Sequence, residues 1–371
     1  MKIAFVSYFF PEYCIRHVNE MVKEADVMLM LPSHVESGDL GMLDSRVRFE
    51  PFQQPRMRQP IRQIRSVLTM LGTLRRFNPD VVHYQHGHLY FNLALPRVRK
   101  YPLVVTIHDA RQHVGDKESK LTPQSIMDFG YRRADHVIVH GRSLISTVTD
   151  ELHILPSKIH HIPHIAIGEQ SSTVENRDDG RTILFFGRIW EYKGLEYLIR
   201  AEPKVSAEFP NVRFVIAGKG DDFDRYRRMM MHPERFEIHN DWINDGKRAE
   251  LFADSSIVVL PYIEASQSGV IPIAYAYQKP VIATRIGGLP DMVEHDRTGL
   301  LVQPRDVDAL ADAMIQLLRA PEKRYAMGKA GQVKLQHECA AEVVSKATID
   351  VYRRAIADRK QARTCSTGVV S

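Results

Sequence analysis

TILFFGRIWEYKG, residues 182–194, decides the fold. Thr182–Phe186 is an apolar, β-branched and aromatic run of strand length, and Gly187 ends it. A run of this kind reads as a strand buried on both faces, the habit of parallel sheets covered by crossover helices. The same plan of strand, turn and helical pattern returns downstream at Arg213–Ala217, Phe236–His239, Ile257–Leu260 and Val281–Thr284. It also runs upstream, at Lys2–Ser7, Ala25–Met30, Arg46–Phe52, Asp80–Tyr84, Leu103–Ile107 and His136–Val139. Two α/β, Rossmann-like, doubly wound parallel-sheet domains follow, and 371 residues suit two cores better than one.

Between the two series lies the polar stretch Glu169–Gly180, rich in Ser, Asn, Asp and Gly, which reads as a linker. The expected division is an N-terminal domain over 1–168, a linker over 169–180, a C-terminal domain over 181–345, and a C-terminal helix with a tail over 346–371. That helix is expected to pack back toward the N-terminal domain, and the tail QARTCSTGVVS, without apolar spacing, to be disordered.

Composition excludes several classes. Apolar residues at 44% and charged residues at 26% match soluble globular chains. The apolar start MKIAFVSYFFPEY is too short and too early interrupted for a membrane span and reads as a buried strand with a proline turn, and no export signal is expected. Cys14, Cys339 and Cys365 lie far apart without CxxC spacing, so a zinc ribbon or disulfide framework is not indicated and a cytoplasmic location is expected. The net charge of +5 arises in residues 1–165, with 21 Lys and Arg against 16 Asp and Glu, while the remainder balances at 29 each. Six arginines, Arg56, Arg58, Arg62, Arg65, Arg75 and Arg76, surround Ile61, Ile64, Leu68 and Leu71 at helical spacing. One reading is a core-facing helix with a solvated cationic side; the other is attraction to an anionic membrane surface. Nucleic acid is disfavoured, because no aromatics interleave the arginines.

In doubly wound sheets ligands bind beyond the carboxyl ends of the strands, so the turns carry the chemistry. After Thr182–Phe186, Gly187 opens a turn in which Arg188 and Lys193 can converge on one small volume, an arrangement suited to a diphosphate. Solvated charges on a surface turn would give the same pattern. The turn containing Gly218 lets backbone approach a ligand. Residues 261–280, PYIEASQSGVIPIAYAYQKP, pass from a strand end through Ser266, Gln267, Ser268, Gly269 and Val270 into a small-residue helix whose first amides suit a distal phosphate. His86, His88 and Asp109 follow strand ends in the N-terminal half and are acceptor-side candidates. A metal site is not expected, since His153, His160, His161 and His164, and likewise His83, His86 and His88, lack ligand spacing. No GxSxG elbow supports a hydrolase, and no GxGxxG follows the first strand.

FFGRIWEYKG, FVIAGKG, ADSSIVVLPYIEASQSG and AYAYQKPVIATRIGGLPDMVEHDRTGLLV stand in that order, and PDVVHYQHG, VVTIHDA, RRADHVIVHG and IHHIPHIAIG precede them. This ordered series resembles the retaining glycosyltransferases of family 4, of the GT-B fold, in a variant with an SQSG donor loop. The resemblance implies two Rossmann-like domains facing across a cleft and a nucleotide diphosphate sugar as donor. It further implies a saccharide or lipid-linked acceptor, hexosyl transfer with retention, and no cofactor. Arg188 and Lys193 would bind the diphosphate, and His108 would face the transferred sugar. The family's two signature glutamates would fall at Ala265 and Ile273, so Glu264, one place off, is the candidate sugar-reading carboxylate and the usual ribose partner is missing. Cell-envelope polysaccharide or glycolipid synthesis at the inner membrane face is the expected setting. A nucleotide-sugar epimerase and a noncatalytic nucleotide-sugar binder are the alternatives.

Overall fold

The computed structural model describes residues 1–35, 40–85, 87–115, 122–168 and 177–367. Among these the chain forms two compact units, one within Met1–Gln112, Lys117–Ile165 and Ala340–Ser371, the other within His113–Asp116 and Ala166–Cys339. Of the expected linker, residues 169–176 lie outside the described residues.

The first unit is built on seven parallel strands, β1 (Lys2–Ser7), β2 (Asp26–Met30), β3 (Arg48–Phe49), β4 (Val81–Gln85), β5 (Leu103–Ile107), β6 (His136–Val139) and β7 (Ile159–His161), in the order β3-β2-β1-β4-β5-β6-β7. The order reverses between β1 and β4, the switch point where such sheets open a binding crevice. The second unit carries six parallel strands, β8 (Thr182–Phe186), β9 (Arg213–Ala217), β10 (Phe236–His239), β11 (Ile257–Leu260), β12 (Val281–Thr284) and β13 (Gly299–Val302), in the order β10-β9-β8-β11-β12-β13. Its switch point lies between β8 and β11.

Expectation and structure differ mainly at sheet edges. β3 is confined to Arg48–Phe49 where Arg46–Phe52 was expected, because only these two residues pair with β2 before a single bridge from Pro32 to Phe52 closes the edge. β7 and β13 were not anticipated. Ile159–His161 carries only one apolar residue, so it shows no strand periodicity, and it is held by pairing with β6. The tail expected to be disordered is helical as far as Thr367, as one helix, Ala341–Thr367. Gln, Ala and Arg tolerate helix well, so turns already anchored on the first unit propagate outward.

The two faces of the first sheet differ in kind. Ala4, Val6, Val82, Tyr84, Val105, Ile107, Val137 and Val139 line one face and pack with Val67, Met70, Leu74 and Phe77 of the helix Pro60–Phe77. Each valine, leucine, isoleucine, methionine or phenylalanine among them contributes about 1.5–3 kcal/mol when fully buried. This corrects the sequence reading of that helix. Of Ile61, Ile64, Leu68 and Leu71, taken there as the core-facing stripe, Leu71 is buried, while Ile61, Ile64 and Leu68 are 75%, 52% and 56% exposed. The true core stripe runs through Gln63, Val67, Met70, Leu74 and Phe77, because a helix with apolar residues on two sides buries the side that meets the sheet.

The opposite face carries His83, Gln85, Thr106, His136 and His140, all buried. The helices Pro11–Met21 and Ala341–Thr367 pack against each other, and the second reaches β4 and β5. Ser345 Oγ lies 3.2 Å from His17 Nδ1, and Tyr352 Oη bonds His83 Nδ1. In the second unit, Ile183, Phe185, Phe214, Ile216, Val259 and Ile282 form one core layer, and Leu184, Val215, Val258, Leu260, Val281 and Ala283 form the other.

Candidate functional site

The turns above β8 and β11 assemble the candidate donor side from the second unit. Gly187, just past β8, donates its N–H to the Ala217 carbonyl at the end of β9, and Gly218 packs on the Gly187 carbonyl, where a Cβ would stand 2.1 Å from that oxygen. Lys193 is buried, and its Nζ donates to the Tyr262 hydroxyl at 2.7 Å and lies 4.3 Å from the Tyr262 ring centroid. Burial opposes the ammonium, but Tyr262 and Tyr192 outweigh it and hold the lysine above its ordinary range, so it stays charged at neutral pH. Arg188 is exposed, with its guanidinium 3.7 Å from the Trp190 ring centroid. Two cations of different character therefore stand in one turn, a buried point charge and a planar fork.

Glycines brace the loop that follows β11 at both ends. A Cβ on Gly194, at φ 64°, would stand 2.0 Å from the Pro261 carbonyl oxygen, and one on Gly287, at φ 52°, only 1.5 Å from that of Ala265. No side chain fits either place, so the loop lies directly on backbone. Within it, Ile263 N–H donates to the Tyr192 carbonyl at 2.7 Å, tying the loop to the lysine turn. The Ser268 hydroxyl accepts from the Val270 N–H at 3.2 Å, so that amide is engaged by its own loop. Gln267 Oε1 is buried and has no hydrogen-bond partner among the described residues. Gly269 approaches Ile167, with a Cβ position 3.1 Å from its Cδ1.

Glu264 has a partner that sequence reasoning missed. Its Oε2 accepts from the Val114 N–H at 3.1 Å and lies 3.4 Å from His113 Nδ1, while His113 Nε2 lies 3.3 Å from Ser266 Oγ. His113 also stacks on Tyr192 with centroids 4.8 Å apart. Residues 113–115 come from far upstream of their partners, so no local pattern could have found this cluster. Ile273 is buried, and a Cβ on Gly168 would meet its Cγ1 at 2.9 Å. An apolar contact occupies the place of the second signature glutamate.

In the first unit, His108 follows β5 and is buried. Its Nε2 lies 2.7 Å from Gln85 Oε1, and its ring packs beside Phe10, Tyr13 and His140 at 4.6, 5.3 and 5.0 Å. His140 Nδ1 donates to the Ile162 carbonyl at 2.8 Å, leaving Nε2 to accept from the Tyr13 hydroxyl at 3.2 Å. Asp109 is half-buried, and its carbonyl accepts from the Tyr131 hydroxyl. His88 stands with other neighbours: it is buried, stacks on Tyr8 at 3.9 Å and 4°, and neither ring nitrogen has a partner among the described residues. Burial lowers its pKa to about 4. His86 lies outside the described residues. Gln85, His83 and His140 were not singled out as site residues, although VVHYQ and HVIVH alternate with period 2 and mark a polar strand face.

Among the described residues no group of three or more His, Cys, Asp or Glu is placed to hold a metal ion. No helix among them is long and apolar enough to cross a membrane.

Comparison with known proteins gives two consecutive family matches. Residues 13–165 match Glycosyltransferase Family 4, and residues 180–320 match Glycosyl transferases group 1. An uncharacterized glycosyltransferase of Methanocaldococcus jannaschii is 30% identical over 48% of this chain, which spans only 46% of that protein. Glycogen synthase of Mycobacterium tuberculosis is 27% identical over 79% of this chain and 73% of its own length. Among solved structures, Anabaena HepE in complex with UDP and glucose superposes with a TM-score of 0.72 at 17% identity, covering 95% of this chain and all of that one. Two parallel Rossmann-like sheets, each lying largely within the span of one glycosyltransferase family match, give this chain the GT-B fold.

Proposed function

We propose that the chain transfers a hexosyl group, with retention, from a nucleoside diphosphate sugar to a saccharide or lipid-linked acceptor in cell-envelope or exported polysaccharide or glycolipid synthesis. The observation that carries this reading is the buried, charged Lys193 in the same turn as Arg188 at the switch point of the second sheet. A departing diphosphate gathers negative charge as the glycosidic bond breaks, and cations already in place stabilise it without reorganisation. In this reading Arg188 grips phosphate oxygens as a fork and Lys193 supplies the point charge, so no metal cofactor is needed. Gly187 and Gly218 admit the donor close to backbone. Glu264, Ser266, Gln267, Ser268, Gly269 and Val270 border the sugar and distal phosphate. His108 contacts the transferred sugar, and His86, His88 and Asp109 belong to the acceptor side. Retention follows if the acceptor attacks the face that the diphosphate leaves, with a phosphate oxygen taking the acceptor proton. The HepE complex with UDP and glucose supports a nucleoside diphosphate donor.

We place the protein at the cytoplasmic face of an anionic membrane. The support is the helix Pro60–Phe77, whose outer side presents Ile61, Ile64 and Leu68 with Arg62, Arg65, Arg75 and Arg76. Residues 51–79 contain no Asp or Glu. Apolar side chains flanked by arginines, in a segment without carboxylates of its own, suit lipid chains beneath anionic headgroups.

The experiment is transfer from a panel of nucleoside diphosphate sugars to lipid-extract acceptors, read as nucleoside diphosphate release. Acceptor-dependent release that collapses in Lys193→Ala supports the reading. Donor binding without any release would make the chain a noncatalytic binder.

A further inference from the structure

We infer that Gln85 is a positioning residue that holds His108 in the neutral tautomer with its proton on Nε2, through a one-way hydrogen-bond chain ending at Tyr352 of the C-terminal helix. The inference rests on the proposed contact between His108 and the transferred sugar.

The chain begins with sheet register. His83 and Gln85 alternate on one face of β4, and Gln85 pairs with Thr106 on β5, which brings Thr106 and, two residues on, His108 to the same face. His83, Gln85 and Thr106 are 0% exposed and His108 is 1% exposed, so bulk water does not serve as partner to their polar atoms.

Donor and acceptor counting then fixes the direction. Gln85 Oε1 can only accept, so the nitrogen 2.7 Å away, His108 Nε2, carries the proton. The Gln85 amide nitrogen can only donate, and it faces Thr106 Oγ1 at 3.1 Å and His83 Nε2 at 3.2 Å. Thr106 receives that hydrogen and passes its own to His83 Nε2 at 2.8 Å. His83 Nε2 is therefore the bare nitrogen, and His83 Nδ1–H donates to the Tyr352 hydroxyl. Tyr352 closes the chain toward Met21 Sδ at 3.8 Å. Every link in this arrangement points from His108 toward the helix.

A core that needed only stability would be served as well by apolar residues, since matched apolar replacements of buried polar pairs are often neutral. What the chain adds is a defined imidazole. With Nε2–H committed to Gln85, the His108 lone pair lies on Nδ1, so the ring accepts a hydrogen bond there and donates none. A saccharide hydroxyl is the matching ligand chemistry.

The test reads the tautomer directly. In the full chain with ¹⁵N-labelled histidine, two-bond proton–nitrogen spectra assign His108 by its loss in His108→Asn. The expected wild-type state, without any sugar nucleotide, is the Nε2–H tautomer, and Gln85→Leu should yield a mixture. Wild-type His108 protonated on Nδ1, or a tautomer unaltered in Gln85→Leu, overturns the inference whatever the activity. If Gln85→Leu does not fold, Thr106→Val and Tyr352→Phe interrupt the chain elsewhere and should loosen the same preference. In transfer assays Gln85→Leu should lower kcat on the order of 10–100-fold with donor KM little changed. Gln85→Glu should move the acid limb of the pH profile up by about 1–3 units, because a carboxylate beside Nε2–H favours imidazolium. An unmoved limb in a folded Gln85→Glu enzyme counts against the chain. If the tautomer behaves as expected but His108→Ala leaves transfer intact, the functional reading of His108 fails while the tautomer assignment stands.

Discussion

The Lys193 ammonium is held 2.7 Å from the Tyr262 hydroxyl and 4.3 Å from the centre of its ring, so the turn after β8 and the loop after β11 share one buried charge. The Tyr262 hydroxyl takes one of the three N–H donors of Lys193 among the described residues, and an incoming phosphate oxygen would take another. Lys193→Ala or Arg188→Ala should therefore reduce kcat/KM for the donor on the order of 10–1000-fold. The losses should overlap in the double variant, since in the proposed site both cations meet one diphosphate. Tyr262→Phe should be milder, because the ring remains. Steady-state kinetics with saturating acceptor check this, and wild-type kcat/KM in both single variants would refute the assignment.

The loop above β11 should be intolerant of even one methyl group at its braces. In Gly287→Ala the new Cβ would collide with the Ala265 carbonyl oxygen, and the backbone φ of 52° already disfavours a side chain. The expected cost is about 1–3 kcal/mol of stability from the conformation alone, with more from the clash. Donor affinity should fall with it, since the 264–270 loop must move. Chemical denaturation and donor titration of the same variant check this, and unchanged midpoints would show that the brace is not tight.

Acid should destabilise the first unit before neutral pH is far behind. Burial, the largest cause in each case, lowers the pKa of His83 to about 3 and of His88 and His164 to about 4, against an ordinary value of 6.5. The unfolded chain binds these protons near pH 6.5 while the folded chain refuses them. Their stabilising contribution is therefore complete above pH 6.5 and is lost as pH falls toward 4 and then 3, each group steepening the slope by up to about 1.4 kcal/mol per pH unit. Tm should be level from pH 8 to 7 and fall progressively below 6.5, and His164→Asn should flatten part of that fall. A level Tm down to pH 4.5 would contradict the burial of these rings.

The outer side of the helix Pro60–Phe77 should bind anionic vesicles. Each arginine near such a surface contributes about 1 kcal/mol, so four give reversible, salt-sensitive attachment. The full chain should cosediment with anionic vesicles at low salt and release as salt rises. Binding should be lost in an Arg58, Arg62, Arg65 and Arg75 to Gln variant, and weakened when Ile61, Ile64 and Leu68 become Ser. Donor binding should be unaffected in both. Equal sedimentation of all three proteins would remove the membrane assignment.

Much of the architecture was legible in the sequence because buried parallel strands announce themselves. Thr182–Phe186, Arg213–Ala217, Phe236–His239, Ile257–Leu260 and Val281–Thr284 were all placed to the residue, as each is a short run of, or alternating with, β-branched and aromatic residues. Ile159–His161 was not, because its strand character comes from β6 and not from its own residues. Helix orientation was also hidden: Ile61, Ile64 and Leu68 have the right spacing for a core stripe, and only the position of the sheet decides against them. At the site, a turn pattern could nominate Lys193, but its partner Tyr262 lies 69 residues away, and His113 lies 151 residues before Glu264. Such pairings are set by strand order, which no local window contains. The Gln85–His108 pair is intermediate: alternation along β4 and β5 was visible, and the register that joins them was not.

The most direct measurement is isothermal titration of UDP, GDP and ADP into the full chain, with and without EDTA, alongside Arg188→Ala and Lys193→Ala. The account predicts that at least one nucleoside diphosphate binds wild type, that EDTA leaves its Kd within about twofold, and that each variant weakens it at least about tenfold. Binding that vanishes with EDTA and returns with magnesium, equal affinity in both variants, or no binding of any of the three would contradict a metal-free diphosphate site built on Arg188 and Lys193.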